Sequence, residues 1–342
     1  MNEEANKLKE LIDTSGRILI TSHLGPDADS LCSSLLLGEI LKTNFPDKTV
    51  VVCMEEEYKP LSFLDKYEQI DFLPLAESLA KYQPQLLIIL DGNNVTRCSR
   101  EPAPALEFIS DKKINIAIID HHEQIDMEQG ATYINRKSSA VTQDIYELCF
   151  NGFNLKRPEK YAQTAMIGLY SDTGGFTYDT PRYKDAFKMA GELIDDGASA
   201  ELAANQLAQY SHDGLEVLAE LIKNVQQTQE CTYSYISDGF YDAWASRNRP
   251  LEAIHEGFDI FLHNFLRNIE GRFWGFAIYP DQNAKVKTYS VSFRSLQGRV
   301  DVAEFARKLG GGGHKPAAGA KIQTDGVQTA LASVKAAVGL IE

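Results

Sequence analysis

The chain has 342 residues, of which 44% are hydrophobic and 24% charged, with a formal net charge of −14 and 12 prolines spread without clustering. This length exceeds one usual core, so two domains are expected, and the composition is that of an ordinary globular protein. The acidic balance excludes long duplex nucleic acid as main partner, since that takes a broad basic surface, but it is compatible with a small anionic substrate held by a few local cations.

No stretch is apolar enough to span a bilayer, and Met1 to Glu10 is charged without an apolar signal core, so no membrane partner is expected. Cys32, Cys53, Cys98, Cys149 and Cys231 are scattered, odd in number and lack metal-type spacing. They read as reduced thiols of a cytoplasmic protein.

In chain order, residues 3 to 13 carry apolar positions too sparse for more than a short surface helix. Ile18-Leu19-Ile20 is a short strand, followed at once by Ser22-His23-Leu24-Gly25-Pro26-Asp27-Ala28-Asp29-Ser30 and a Leu-rich helix over Leu31 to Leu41. His23, Asp27 and Asp29 thus fall in a strand-to-helix turn, where free amides and the helix dipole favour negative charge. Thr49 to Met54 is a second strand and Leu86 to Leu90 a third, ending in Asp91-Gly92-Asn93-Asn94. Helical segments are expected near Leu61 to Tyr67 and Leu75 to Tyr82. Ile114 to Ile119 is a strand buried on both faces and ends in Asp120-His121-His122. Such groups would cost several kcal/mol to bury unpaired, so they must meet water, a metal or a partner.

Thr132 to Asn135 reads as a further short strand, before a helix running to about Phe150. A helix over Tyr161 to Tyr170 runs into Ser171-Asp172-Thr173-Gly174-Gly175, where the glycine pair breaks it beside Asp172. Residues 184 to 196 are amphipathic, with Ala186, Met189, Ala190, Leu193 and Ile194 on one face and Gly197 as stop. Residues 198–228 are polar and helical and read as a bridge. Strands follow at Cys231 to Ile236, Phe273 to Tyr279 and Val286 to Arg294, the last two joined by an Asp281-Gln282-Asn283 turn. A helix over Val302 to Leu309 stops at Gly310 to Gly313, and Val327 to Ile341 is a closing helix.

The alternation of apolar strand and helix in the first part predicts an α/β domain with a doubly wound, mostly parallel sheet. The second part reads as a smaller α+β domain. Ligands of doubly wound sheets lie outside the carboxyl ends of the strands, where three strands here end in acid or imidazole. One such residue alone is usually a cap or a hydrogen-bonded bystander. Carboxylates converging without a cation would instead repel one another. Mixed with imidazoles, they suit Mn²⁺ or a similar divalent ion, whereas Ca²⁺ takes oxygen alone and structural Zn²⁺ usually takes Cys. The ligands exceed one ion's needs, which points to a two-metal centre acting on a phosphoryl group. In the second part, the glycine run could be a mere joint, or a close approach to a ligand with free amides forming an anion nest. His314 and Lys315 follow it, and Ser292, Arg294 and Ser295 form a second phosphate-friendly cluster.

The ordered set Ser22-His23…Pro26-Asp27-Ala28-Asp29, Asp91, Asp120-His121-His122 and Asp172-Thr173-Gly174 resembles the DHH phosphoesterase superfamily. Gly311-Gly312-Gly313-His314 resembles the signature of its DHHA1-type second domain. The resemblance covers essentially the whole chain and is nearest to compact bacterial nanoRNases (oligoribonucleases) that are also 3′-phosphoadenosine 5′-phosphate phosphatases. It implies a DHH catalytic domain over 1–197, a helical linker over 198–228 and a DHHA1 domain over 229–342, with the active site in the cleft between them. It further implies that His23, Asp27 and Asp91 hold one Mn²⁺, and that Asp29, Asp91, His121 and Asp172 hold the other. Asp120 would orient an imidazole, His122 would contact the scissile phosphate and protonate the leaving oxygen, and Arg294 with Gly312, Gly313, His314 and Lys315 would grip the substrate's terminal phosphate or nucleotide. Ala28 and Cys32 stand where many relatives place glycine; neither change removes a ligand.

The implied activity is Mn²⁺-dependent hydrolysis of short RNA oligonucleotides or dinucleotides to 5′-mononucleotides, with dephosphorylation of 3′-phosphoadenosine 5′-phosphate as companion and the linear product of a cyclic dinucleotide as a third substrate. A RecJ-like single-strand exonuclease is disfavoured by the acidic charge and by the lack of an extra oligonucleotide-binding module with spaced aromatic and basic residues. A family II pyrophosphatase lacks the glycine-histidine signature. A non-catalytic nucleotide- or RNA-binding protein would be favoured by a lost ligand, and none is lost. A homodimer is compatible with the sequence.

Overall fold

Strand and helix alternate as the apolar periodicity requires, and the computed structural model describes residues 3–122, 127–178, 180–228, 230–266, 268–281, 286–296 and 298–340. The chain divides into two units, Met1–Gln209 and Tyr210–Glu342.

The first unit contains, in order, α1 (Glu3–Thr14), β1 (Arg17–Ser22), α2 (Ala28–Asn44), β2 (Thr49–Met54), β3 (Ile70–Phe72), α3 (Leu75–Tyr82), β4 (Leu86–Leu90), α4 (Pro102–Lys112), β5 (Asn115–Ile119), β6 (Thr132–Ile134), α5 (Val141–Tyr146), α6 (Tyr161–Asp172), α7 (Tyr183–Asp195) and α8 (Ala200–Leu207). α5 continues as a wider turn over Glu147–Gly152. The sheet has the order β3-β2-β1-β4-β5-β6, with all five pairings parallel. Its central strands are Ile-, Leu- and Val-rich because helices cover both faces. The strand order reverses between β1 and β4, the position where such sheets open a crevice for ligands.

The second unit contains α9 (His212–Lys223), β7 (Gln226–Gln227), β8 (Cys231–Tyr235), α10 (Asp238–Ser246), α11 (Glu252–Asn264), β9 (Trp274–Pro280), β10 (Thr288–Ser295), α12 (Val302–Lys308), β11 (Gly312–His314), β12 (Ala317–Gln323) and α13 (Val327–Val338). Its sheet runs β11-β12-β10-β9-β8-β7, antiparallel except for the parallel pair β8–β9. One face packs on α12 and α13 through Phe276, Val291 and Phe293. Ala277 and Tyr279 on the other face, with Leu266 from the turn after α11, join the cluster formed by α9 and α11.

Several elements differ from the sequence expectation. The expected helix near Leu61 to Tyr67 is a pair of short 3₁₀ turns leading into β3. α1 is more than a surface helix, since Ala5, Leu8 and Ile12 are buried. Ile194 does not share the buried face of α7; it is 53% exposed. The polar helical text of 198–228 is divided, α8 lying in the first unit and α9 in the second. Gln282 and Asn283 of the expected turn lie outside the described residues. All five cysteines are free and buried. No helix among the described residues is long and apolar enough to cross a membrane.

Candidate active site

β1 delivers the chain into the turn that starts α2. Asp27 caps that helix: its Oδ1 accepts from the Ser30 amide at 2.9 Å, and Ser30 Oγ accepts from the Asp27 amide at 3.0 Å. This reciprocal pairing fixes the turn and leaves Asp29 in the first helical turn. The turn is braced from outside. The Leu24 amide donates to the Arg97 carbonyl, and the Gly25 amide to Glu56 Oε2, both at 2.7 Å. Asp91 leaves β4 in the left-handed region, with φ of 56°, a conformation uncommon for any residue but glycine. Because β4 and β5 are neighbours, Asp91 stands beside Asp120, His121 and His122. Asp172 is the last residue of α6, and Gly174 and Gly175, both at positive φ, turn the chain just beyond it.

These side chains converge. Ligand atoms lie within 4.8 Å of one another in three sets: His23, Asp27 and Asp91; Asp29, His121 and Asp172; and Asp91, His121 and His122. Asp91 is 2% exposed and neither of its oxygens has a hydrogen bond. Around it stand His23 Nε2 at 3.7 Å, His121 Nε2 at 3.5 Å and His122 Nδ1 at 3.4 Å, and His121 Nε2 is also 3.4 Å from Asp172. His23 Nδ1 donates to the Leu24 carbonyl at 2.9 Å and His121 Nδ1 to the Ser138 carbonyl at 3.3 Å. With the proton on Nδ1, each neutral ring turns a lone pair at carboxylate oxygens, which is repulsive unless a proton or cation lies between.

The electrostatics say the same. Burial, then the Asp91 charge, holds the Asp29 carboxyl well above its usual range. Burial, then the Asp29 and Asp91 charges, does so for Asp172. Burial alone would lower His23, but its contacts with Asp91 and the Leu24 carbonyl win and raise it to about 9. An orphaned buried carboxylate, two carboxyls pushed up by burial and by neighbouring charge, and imidazole Nε2 atoms aimed at carboxylates are the marks of a cation-binding donor set. The residues therefore fit divalent metal, and the mixture of oxygen and nitrogen donors suits a borderline ion rather than Ca²⁺.

Asp120 partners His122 rather than His121. Its Oδ1 accepts from His122 Nδ1 at 2.8 Å, and its Oδ2 accepts from the Tyr133 hydroxyl at 2.9 Å. Burial would raise the Asp120 carboxyl, but the His122 bonds outweigh it and hold it below its ordinary range. The same bond raises the His122 imidazole. The sequence assigns no role at the site to Tyr133, Glu56, Ser138 or the amides of Val141 and Thr142, which donate to Asp29 at 2.5 and 3.0 Å. Backbone donors leave no compositional mark. Cys32 packs closely against Gly168 on α6, where any added Cβ would come 2.9 Å from the Cys32 Cβ.

In the second unit, strand register sorts the expected phosphate-binding residues. Ser292 pairs with Gly319, which pairs with Gly312; Arg294 pairs with Ala317, which pairs with His314. The four therefore share one sheet face in two rows. Gly312 and His314 are exposed, and a Cβ at Gly312 would meet nothing within 4 Å. Arg294 Nη1 donates to the Phe293 carbonyl at 3.0 Å. Three expectations change. The glycine run is in part taken up by the fold: the amides of Gly310 and Gly311 donate to the Arg307 and Ala306 carbonyls, and Gly312 and Gly313 lie in the edge strand β11. Gly313 belongs to the opposite face. Ser295 is fully buried, its hydroxyl donating to the Leu296 carbonyl and accepting from the Val300 amide, so it shapes the turn after β10. Lys315 is exposed between β11 and β12, and its carbonyl accepts from the Val302 amide.

Residues 17–169 match the model of the DHH family, N-terminal domain, and residues 259–340 that of the DHHA1 domain. The chain is 28% identical over 326 residues to the "Bifunctional oligoribonuclease and PAP phosphatase NrnA" of Bacillus subtilis, covering 94% of this chain and 93% of that protein. It is 25% identical over 319 residues to the protein of the same name in Mycoplasma pneumoniae, covering 92% and 90%. The crystal structure of an exopolyphosphatase-related protein from Bacteroides fragilis superposes with a TM-score of 0.78 at 19% identity, covering 98% of this chain and 96% of that one, a likeness of fold.

Proposed function

The chain belongs to the DHH phosphoesterase family of hydrolases, with a DHHA1 domain as its second part, and we propose that it hydrolyses short RNA oligonucleotides and dinucleotides to 5′-mononucleotides and removes the 3′-phosphate of 3′-phosphoadenosine 5′-phosphate. The observation that carries this reading is the buried, hydrogen-bond-free carboxylate of Asp91 shared between sets of oxygen and nitrogen donors. The two activities named for the Bacillus subtilis and Mycoplasma pneumoniae relatives support it.

In this account His23, Asp27 and Asp91 would hold one divalent ion, and Asp29, Asp91, His121 and Asp172 the other, with Mn²⁺ as the ion the donor types suit. When bound, such ions supply Lewis acidity, lowering the pKa of water and neutralising charge that develops on phosphoryl oxygens. The protein's own groups do the rest. Hydrolysis to a 5′-mononucleotide forms a bond from a water oxygen to phosphorus and breaks the bond from phosphorus to the upstream 3′-oxygen; the water releases a proton to solvent, and the departing oxygen needs one. His122, kept protonated by Asp120, supplies it from Nε2 as general acid. Asp120, anchored by Tyr133, holds the ring by Nδ1 and balances its charge. Arg294 binds a terminal phosphate, with Ser292, Gly312, His314 and Lys315 completing the grip.

A panel of substrates with Mn²⁺ tests the proposal: a diribonucleotide, a long single-stranded DNA, 3′-phosphoadenosine 5′-phosphate and pyrophosphate. Turnover of the first and third is expected. Turnover of pyrophosphate or long DNA alone would overturn the assignment.

A further inference from the structure

The segment joining β6 to α5 reaches two members of the second donor set. Its Ser138 carbonyl takes the Nδ1 proton of His121, and its Val141 and Thr142 amides hold Asp29. Behind the segment lies a charged cluster that the proposed chemistry does not use. Asp144 is wholly buried, with Oδ2 2.7 Å from the Ser138 hydroxyl. Its Oδ1 has no hydrogen bond but lies 3.9 Å from both Arg136 Nε and Arg182 Nη1. Both guanidinium groups meet Glu147, at 2.9 and 2.7 Å.

Arg182 sits just before α7, at the end of the loop that leaves Asp172, and takes up the left-handed conformation with φ of 56°. That loop is tied to the same segment, because the Ser139 hydroxyl donates to the Pro181 carbonyl and accepts from Thr180, both at 2.8 Å. So one cluster fixes the carbonyl behind His121, the amides on Asp29 and the chain that follows Asp172. The turn that carries His23 and Asp27 is braced by Glu56 and Arg97 instead. Two acids and two arginines partly buried together are poor net stabilisers compared with an apolar core. Geometry is the better account of what they do here.

We propose that Asp144 and Arg182 are positioning residues for the Asp29, His121 and Asp172 set, holding the 136–147 segment so that His121 keeps its proton on Nδ1 and presents Nε2. The inference rests on reading that set as a metal site. The clamp makes the second site separable from the first: loosening it degrades one metal position and leaves the other.

The test is calorimetric titration of chelator-stripped protein with MnCl₂ at alkaline pH, on wild type, Asp144→Asn, Arg182→Gln, Arg182→Lys and Ser138→Ala, beside melting temperatures. Wild type is expected to take up two equivalents. Asp144→Asn and Arg182→Gln are expected to weaken one equivalent by about 10–100-fold, the range for lost outer-shell partners, and to leave the other unchanged. Ser138→Ala, which keeps the carbonyl and the fold, is expected to weaken the same equivalent less. Arg182→Lys restores it in part, and excess Mn²⁺ restores turnover. Unchanged affinities, or both equivalents weakened alike in step with the melting temperature, would overturn the proposal. Fewer than two equivalents in wild type would instead sink the metal-site reading beneath it.

Discussion

Nδ1 of His122 lies 2.8 Å from Oδ1 of Asp120, and the same oxygen accepts the His122 backbone amide at 3.2 Å. The imidazole is thereby fixed by one nitrogen while 62% of its side chain stays exposed, so Nε2 is the atom presented outward. If His122 is the general acid, His122→Ala lowers kcat by about 10²–10⁴. Asp120→Asn lowers it less, because the ring survives without its counter-charge. Steady-state kinetics beside metal analysis check this: Mn²⁺ content should be unchanged in both variants.

Asp91 combines a left-handed backbone with a buried carboxylate that has no hydrogen bond. Asparagine tolerates that backbone and carries no charge. Chelator-stripped Asp91→Asn is therefore expected to be more stable than stripped wild type, because the buried charge that repels Asp29 and Asp172 is gone. Adding Mn²⁺ should raise the melting temperature of wild type and leave the variant unmoved. Differential scanning calorimetry with and without metal gives both numbers.

Asp144 yields a pH dependence with a definite sign. Burial, opposed by Ser138, Arg136 and Arg182 and abetted by Glu147, raises its carboxyl from 3.8 to about 7. The folded state then binds a proton that the unfolded state has released between those values. Stability from this group is fully present below pH 3.8 and is lost as pH rises through about 7. Chemical denaturation of stripped wild type minus Asp144→Asn should show that loss, on the order of a few kcal/mol, completed by about pH 8. A difference independent of pH would contradict it.

The glycine run separates positions closed to a side chain from one that is open to it. A Cβ at Gly311 would run into the Gly319 carbonyl, and one at Gly313, where φ is 137°, into Ala318. Gly311→Ala and Gly313→Ala should lower the melting temperature. Gly312→Ala should fold normally and raise KM. Arg294→Ala should also raise KM, by the equivalent of about 2–5 kcal/mol if it meets a buried phosphate, with Mn²⁺ affinity unchanged. Ser295→Ala should cost about 1 kcal/mol of stability through its lost turn bonds and leave KM alone.

The parallel sheet was legible because β1, β2, β4 and β5 are continuous apolar runs, and the donor set because acids and imidazoles end three of them. What escaped was short or backbone-made. β3 is three residues long, and β11 is Gly-Gly-His, so neither has a side-chain period to read. The Asp29 amides and the Ser138 carbonyl belong to a segment whose sequence could be any helix start. Ser295 lies beside Arg294 in sequence, yet strand alternation sends it to the opposite face. Arg182 and Asp144 are 38 positions apart in the numbering, and only the fold brings them together.

The most direct measurement is product analysis of a 5′-phosphorylated diribonucleotide incubated with Mn²⁺ and either wild type or Asp91→Ala. The account predicts that wild type converts it wholly to 5′-mononucleotides and that Asp91→Ala, lacking the shared ligand, releases none. An intact dinucleotide with wild type, or full conversion by Asp91→Ala, would contradict it.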